Sequence, residues 1–135
     1  MSPQSMYANA TISTCRILIP DSTHTNSVRQ AVSGAIRPIG VSGNGGRLRP
    51  DPDFAQSDVD VAALAGENVA VFAEGERSVD LYCNAAWSPG DLIMADASGY
   101  GIVATSGNYY VGRATGPGTV GNLCPIDIVP GLMKT

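Results

Sequence analysis

The side chains of this 135-residue chain best suited to nucleophilic or acid–base chemistry are its single histidine, His24, and its three cysteines, Cys15, Cys83 and Cys124. A hydrolytic triad needs a histidine within hydrogen-bond reach of a serine or thiol nucleophile. His24 instead sits inside DSTHTNS, a run of turn formers, and no G-x-S-x-G stretch accompanies it. It reads as a solvated loop histidine. The cysteines lie 68 and 41 positions apart, with no C-x-x-C pair and no histidine cluster. Each falls in the apolar row of an alternating stretch: Cys15 with Ile17 and Ile19, Cys83 with Val79 and Leu81, and Cys124 with Ile126 and Ile128. They read as small core residues rather than as reactive thiols or metal ligands, since nothing beside them in the sequence would activate a thiolate. A disulfide-free chain assembled in a reducing cytoplasm is expected.

The remaining polar motifs point the same way. SGNGG, Ser42 to Gly46, has no following Lys-Ser/Thr and opens no helix, so it reads as a turn rather than a phosphate cradle. The acidic DPDF and the pair Asp58/Asp60 lack the spaced ligands and fixed glycine of a calcium loop. The expectation is a protein that is not an enzyme and carries neither cofactor nor metal.

The elements that would position any site are strands. Sixteen Gly and nine Pro interrupt the chain too often for a long helix. Charged residues make up only 15%, against about 25% in ordinary soluble domains. Residues 1–50 carry five Arg against Asp21 alone, a balance of +4, whereas residues 51–135 carry three basic and eleven acidic residues, a balance of -8. Scattered arginines without interleaved aromatics do not make a nucleic-acid surface. The polarity suits oriented docking between subunits or on a charged shell. The N-terminus shows no basic start or apolar signal region, and no stretch approaches a membrane span, so a soluble chain is expected.

Residues 1–11 are largely polar and read as an N-terminal arm, with residues 12–135 forming a single β domain around a long loop at about 43–57. Alternation predicts a first strand from Thr11 to Ile19, with Cys15, Ile17 and Ile19 on one face and Arg16 and Leu18 on the other. VRQAV and RPIGVS follow as short strands, and DVDVAAL, Asp58 to Leu64, is the one candidate helix. Then NVAVFA, SVDLYCN, DLIMAD, GIVA, YYVGRAT and LCPIDIV recur at intervals of about ten residues, each bounded by turn residues. The fold class is therefore all-β: a small barrel or sandwich of about 8–9 short strands with an extended arm and at most one short helix.

Four stretches carry a resemblance. CRILIP, VRQAV and RPIGVS run in that order, GENVAVFAEG is partnered by VDLYC, and WSPGDLIMADASGYG and YYVGRATG follow. Over residues 12–130 this arrangement resembles the small capsid decoration, or cement, proteins of tailed phages. The resemblance implies a virion protein made in the host cytoplasm that binds the outer capsid surface and stabilises the head. It also implies the major capsid protein as partner and self-association as a homotrimer, with no direct contact to nucleic acid or membrane. Met6, Tyr7 and Ile12 are the candidate capsid contacts, as apolar anchors of an arm that orders by adding a strand to a neighbour's sheet. The alternative is a β-barrel module that binds a small ligand or carbohydrate in a cleft near Trp87, Tyr109 and Tyr110.

Overall fold

The computed structural model describes residues 4–21, 26–43 and 61–133. Among them the chain forms twelve strands: β1 (Gln4–Ala8), β2 (Ile12–Ser13), β3 (Ile17–Asp21), β4 (Ser27–Gln30), β5 (Gly40–Ser42), β6 (Val61–Ala63), β7 (Asn68–Ala73), β8 (Val79–Tyr82), β9 (Leu92–Ala95), β10 (Gly101–Val103), β11 (Tyr109–Ala114) and β12 (Leu123–Leu132). The protein is all-β, as the turn-punctuated alternation predicts.

Two bodies of sheet divide the strands. The order β1-β4-β3-β5-β7 closes into a barrel, and β10-β9-β11-β12-β8 forms a five-stranded sheet beside it. β2 and β6 make a separate two-stranded ribbon. The barrel closes through β1, which runs antiparallel to β7 from Gln4↔Val71 to Tyr7↔Asn68 and parallel to β4 at Tyr7↔Ser27 and Ala8↔Val28. An isolated parallel bridge, Cys83↔Gly101, ties the two edges of the second sheet together at one point.

The N-terminal segment is therefore not a projecting arm. Met6, Tyr7 and Ala8 were too few apolar residues to announce a strand, yet β1 fills a gap that would otherwise leave β4 and β7 with unpaired backbone groups. The candidate helix is corrected as well: Val61–Ala63 is a strand paired to β2, while residues 58–60 and most of the 43–57 loop lie outside the described residues. Its short apolar run fits either structure, and pairing with Ile12 and Ser13 decides for the strand.

Two cores follow from the period-two alternation of single strands. Ile17 and Ile19 face the second sheet, where Leu81, Ile93, Ile126 and Ile128 meet them. Leu18, between them in sequence, packs with Ala8, Val28, Val69 and Val71 to fill the barrel. All three residues of this β3 run are buried because β3 has a hydrophobic layer on each side. Each such aliphatic side chain contributes roughly 1.5–3 kcal/mol by leaving water.

The turns obey their residues. In Ser88-Pro89-Gly90-Asp91, Gly90 has φ +93, Asp91 N–H donates to the Ser88 carbonyl at 3.1 Å, and the Asp91 carboxylate accepts from Ser88 N–H at 2.9 Å. Proline fixes the first central position and glycine supplies the positive φ of the second.

Candidate interaction surface

The predicted strand over residues 11–19 is broken at its middle, and the break builds the joint between barrel and sheet. Cys15 adopts φ +55, a conformation uncommon outside glycine, and this separates β2 from β3. Buried Ser42 of β5 holds the bend: its hydroxyl accepts from Arg16 N–H at 2.9 Å and donates to the Ser13 carbonyl at 2.7 Å. The kink aims Arg16 across the seam. Its guanidinium carbon lies 4.7 Å from the ring centre of Tyr82 on β8 and 4.1 Å from that of Tyr100 in the β9–β10 turn. One of its nitrogens donates to the Thr14 carbonyl at 2.8 Å and another to the Tyr100 hydroxyl at 3.1 Å. Backbone bonds from Tyr82 N–H to Cys15 O and from Ile17 N–H to Gly99 O complete the joint.

Tyr100 is placed by Asp96, whose carboxylate accepts from the backbone N–H groups of Ser98 and Tyr100 at 2.8 and 3.0 Å. Residues Asp96 to Gly99 thus form a turn that presents an aromatic ring to Arg16. Sequence reasoning missed this cluster, since residues 16, 82 and 100 share no local pattern.

The three cysteines are buried free thiols, in keeping with their reading as core residues. Burial, with Asp80 nearby, pushes the Cys15 thiol up to about 11 against a partly offsetting Arg16. Burial likewise raises Cys83. A thiol held protonated at neutral pH is a poor nucleophile. Among the described residues no group of three or more His, Cys, Asp or Glu side chains is placed to hold a metal ion. His24, DPDF and Asp58/Asp60 lie outside the described residues.

The cleft proposed around Trp87, Tyr109 and Tyr110 does not form as one site. Trp87 is buried and pairs through its backbone with Gly118, beyond the Ala114 end of β11, whereas Tyr109 and Tyr110 begin that strand. The four residues Val111 to Ala114 lie between Tyr110 and the far end of β11, a span of roughly 13 Å. The Trp87 indole is packed over Gly118 and against Gly101.

The capsid-contact candidates are also distributed by packing. Ile12 is fully buried and offers no surface to a partner in this fold. Met6 packs against the barrel core, and Tyr7, its neighbour on β1, alternates to the other face and is partly exposed. An apolar surface lies elsewhere, in a shallow groove of about 420 Å³ between the barrel and the end of β12. Pro20, Pro38, Ile39 and Pro130 line it, and an exposed Arg37–Glu74 pair at 3.7 Å spans one side. Ile36 and Val129, adjoining these residues in sequence, are 42% and 52% exposed.

The fold and surface of the described residues define an all-β protein of two fused β bodies, a closed barrel and an almost closed sheet. Among solved structures it is similar to the N base of the head fiber protein gp8.5 of bacteriophage phi29, with a TM-score of 0.59 and 14% sequence identity over 93% of this chain and 92% of that one. No family model matches the sequence, and no curated protein matches it.

Proposed function

We propose that this chain is a structural protein of a tailed-phage virion that binds the outer surface of the head and stabilises it as a decoration protein. The observation that carries the reading is the end-to-end similarity of fold to the base of a phage head fiber, covering 93% of this chain. The decoration-protein resemblance of residues 12–130 adds the finer role, with the major capsid protein as partner and a homotrimer as the attaching unit. Multivalent attachment lets modest single contacts sum to stable binding, and a surface with few charges suits a broad, mainly apolar and hydrogen-bonded contact. The role is a binding one, without catalysis. Tyr7, partly exposed and on the opposite face of β1 from the core-packed Met6, remains the proposed β1 contact.

The test is co-sedimentation of the purified protein with bare and with expanded heads assembled from the major capsid protein of the same phage, alongside mass determination of the free protein. Saturable binding by a trimer, with heads that withstand higher temperature, supports the proposal. A free monomer that remains in the supernatant with both kinds of head overturns it.

A further inference from the structure

Cys83 and Cys124 stand on adjacent strands of the second sheet. β8 and β12 run antiparallel with Leu81 opposite Cys124 and Tyr82 opposite Leu123, and the Cys83 N–H donates to the Asn122 carbonyl at 3.0 Å. Cys83 and Cys124 are therefore diagonal neighbours, and both belong to the core packed between barrel and sheet. Their thiols interact with each other, and Cys124 is one of the groups that disturbs the Cys83 proton. Each thiol also has a carbonyl beside it, Ala85 for Cys83 and Asn122 for Cys124.

We propose that Cys83 and Cys124 are a redox-sensitive pair that closes into a disulfide when the protein leaves a reducing compartment, stapling β8 to β12. The oxidant is a low-molecular-weight disulfide such as oxidised glutathione. One thiolate attacks it to give a mixed disulfide and release one glutathione thiol, and the second cysteine then displaces the other glutathione. Two protein thiols lose their hydrogens and one glutathione disulfide becomes two glutathione molecules, so atoms and electrons balance.

The geometry favours this pair over any with Cys15. Cys15 lies on the β2–β3 bend of the barrel side, whereas Cys83 and Cys124 share one sheet. Diagonal neighbours, roughly 7–8 Å apart, start just beyond the separation a disulfide spans, so closure requires backbone movement. Cys83 is held in the folded state by its bridge to Gly101 and by backbone bonds to Asn122 and Gly121, so the required movement comes with local opening of the chain around it. The raised proton affinity of Cys83, caused chiefly by burial, makes closure slow in the folded state. Local opening or folding in the presence of oxidant supplies access.

The test uses the full chain, refolded or incubated in buffers spanning reduced to oxidised glutathione, followed by alkylation, intact mass and peptide mapping. The expected product lacks the mass of two hydrogens, carries a Cys83–Cys124 linkage with Cys15 still alkylated, melts at a higher temperature and reverts with dithiothreitol. Cys124→Ala should remove the oxidation-dependent rise in melting temperature. Three thiols still alkylated across the whole redox range, glutathione adducts without ring closure, or a linkage through Cys15 would each overturn the proposal, and none of these readouts needs a variant to fold.

Discussion

The guanidinium of Arg16 lies 4.1 Å from the centre of the Tyr100 ring while one of its nitrogens donates to that tyrosine's hydroxyl at 3.1 Å. The Tyr82 ring centre lies 4.7 Å from the same guanidinium carbon, and the two rings meet edge to face with centroids 6.0 Å apart. Arg16 comes from the barrel and both tyrosines from the second sheet, so one side chain fastens the two bodies of the fold. Arginine suits this place because its planar fork can stack and donate at once, which an ammonium cannot.

Replacing that side chain should therefore weaken the joint. Arg16→Ala is expected to lower stability by about 1–2 kcal/mol through the lost cation–π contacts and hydrogen bonds. Arg16→Lys should recover part of the loss. Urea denaturation of the three proteins, with the slope compared as well as the midpoint, checks this. An Arg16→Ala midpoint equal to that of the parent would show that the seam is held by the aliphatic core alone.

Two glycines two residues apart should behave in opposite ways. A Cβ on Gly118 would lie 2.5 Å from the Trp87 indole, which is buried and cannot withdraw. Gly118→Ala is thus expected to cost roughly 1–3 kcal/mol by overpacking. A Cβ on Gly116 meets nothing within 4 Å, and Gly116→Ala should be neutral or stabilise by a few tenths of a kcal/mol through a less flexible unfolded chain. Trp87 is the single tryptophan, so the emission spectrum of each variant reports directly on whether its packing has moved.

Alkaline pH should loosen the fold through Cys15. Its thiol titrates at about 11 in the folded chain against 9.0 when unperturbed, chiefly because it is buried. The folded state thus holds this proton more tightly than the unfolded one. The associated stability is complete below about 9, falls as the pH rises, and is gone above about 11. Melting curves across that interval for the parent and for Cys15→Ala should converge as pH rises, the tyrosines cancelling between them. Parallel curves would contradict the assignment.

Legibility in the sequence followed the range of each interaction. Strands such as β7, β8 and β9 could be read because each alternates over four or more residues between turn formers, and the Ser88–Asp91 turn was legible because proline and glycine fix local dihedrals. The Thr11–Ile19 stretch was half legible. Alternation placed Ile17 and Ile19 together but gave no sign that Leu18 faces a second core, or that Cys15 turns the chain. The Arg16–Tyr82–Tyr100 joint and the paired thiols of Cys83 and Cys124 are products of topology, and no periodicity announces them.

The N-terminal strand gives the last test, because it separates a contact role from a structural one. β1 pairs with β7 along four residues and with β4 along two, and Ala8 is fully buried in the barrel core. Removing residues 1–8 would expose the facing edges of β4 and β7 and open that core to water, and unpaired edges invite aggregation. The truncated chain is expected to lose its cooperative melting transition or its solubility. Tyr7→Ala, which leaves the backbone pairing in place, should keep the fold, so reduced binding to heads by that variant would report on the surface contact itself. A truncated chain that melts as the parent does would show that the barrel does not depend on β1, and would return the segment to the role of a detachable arm.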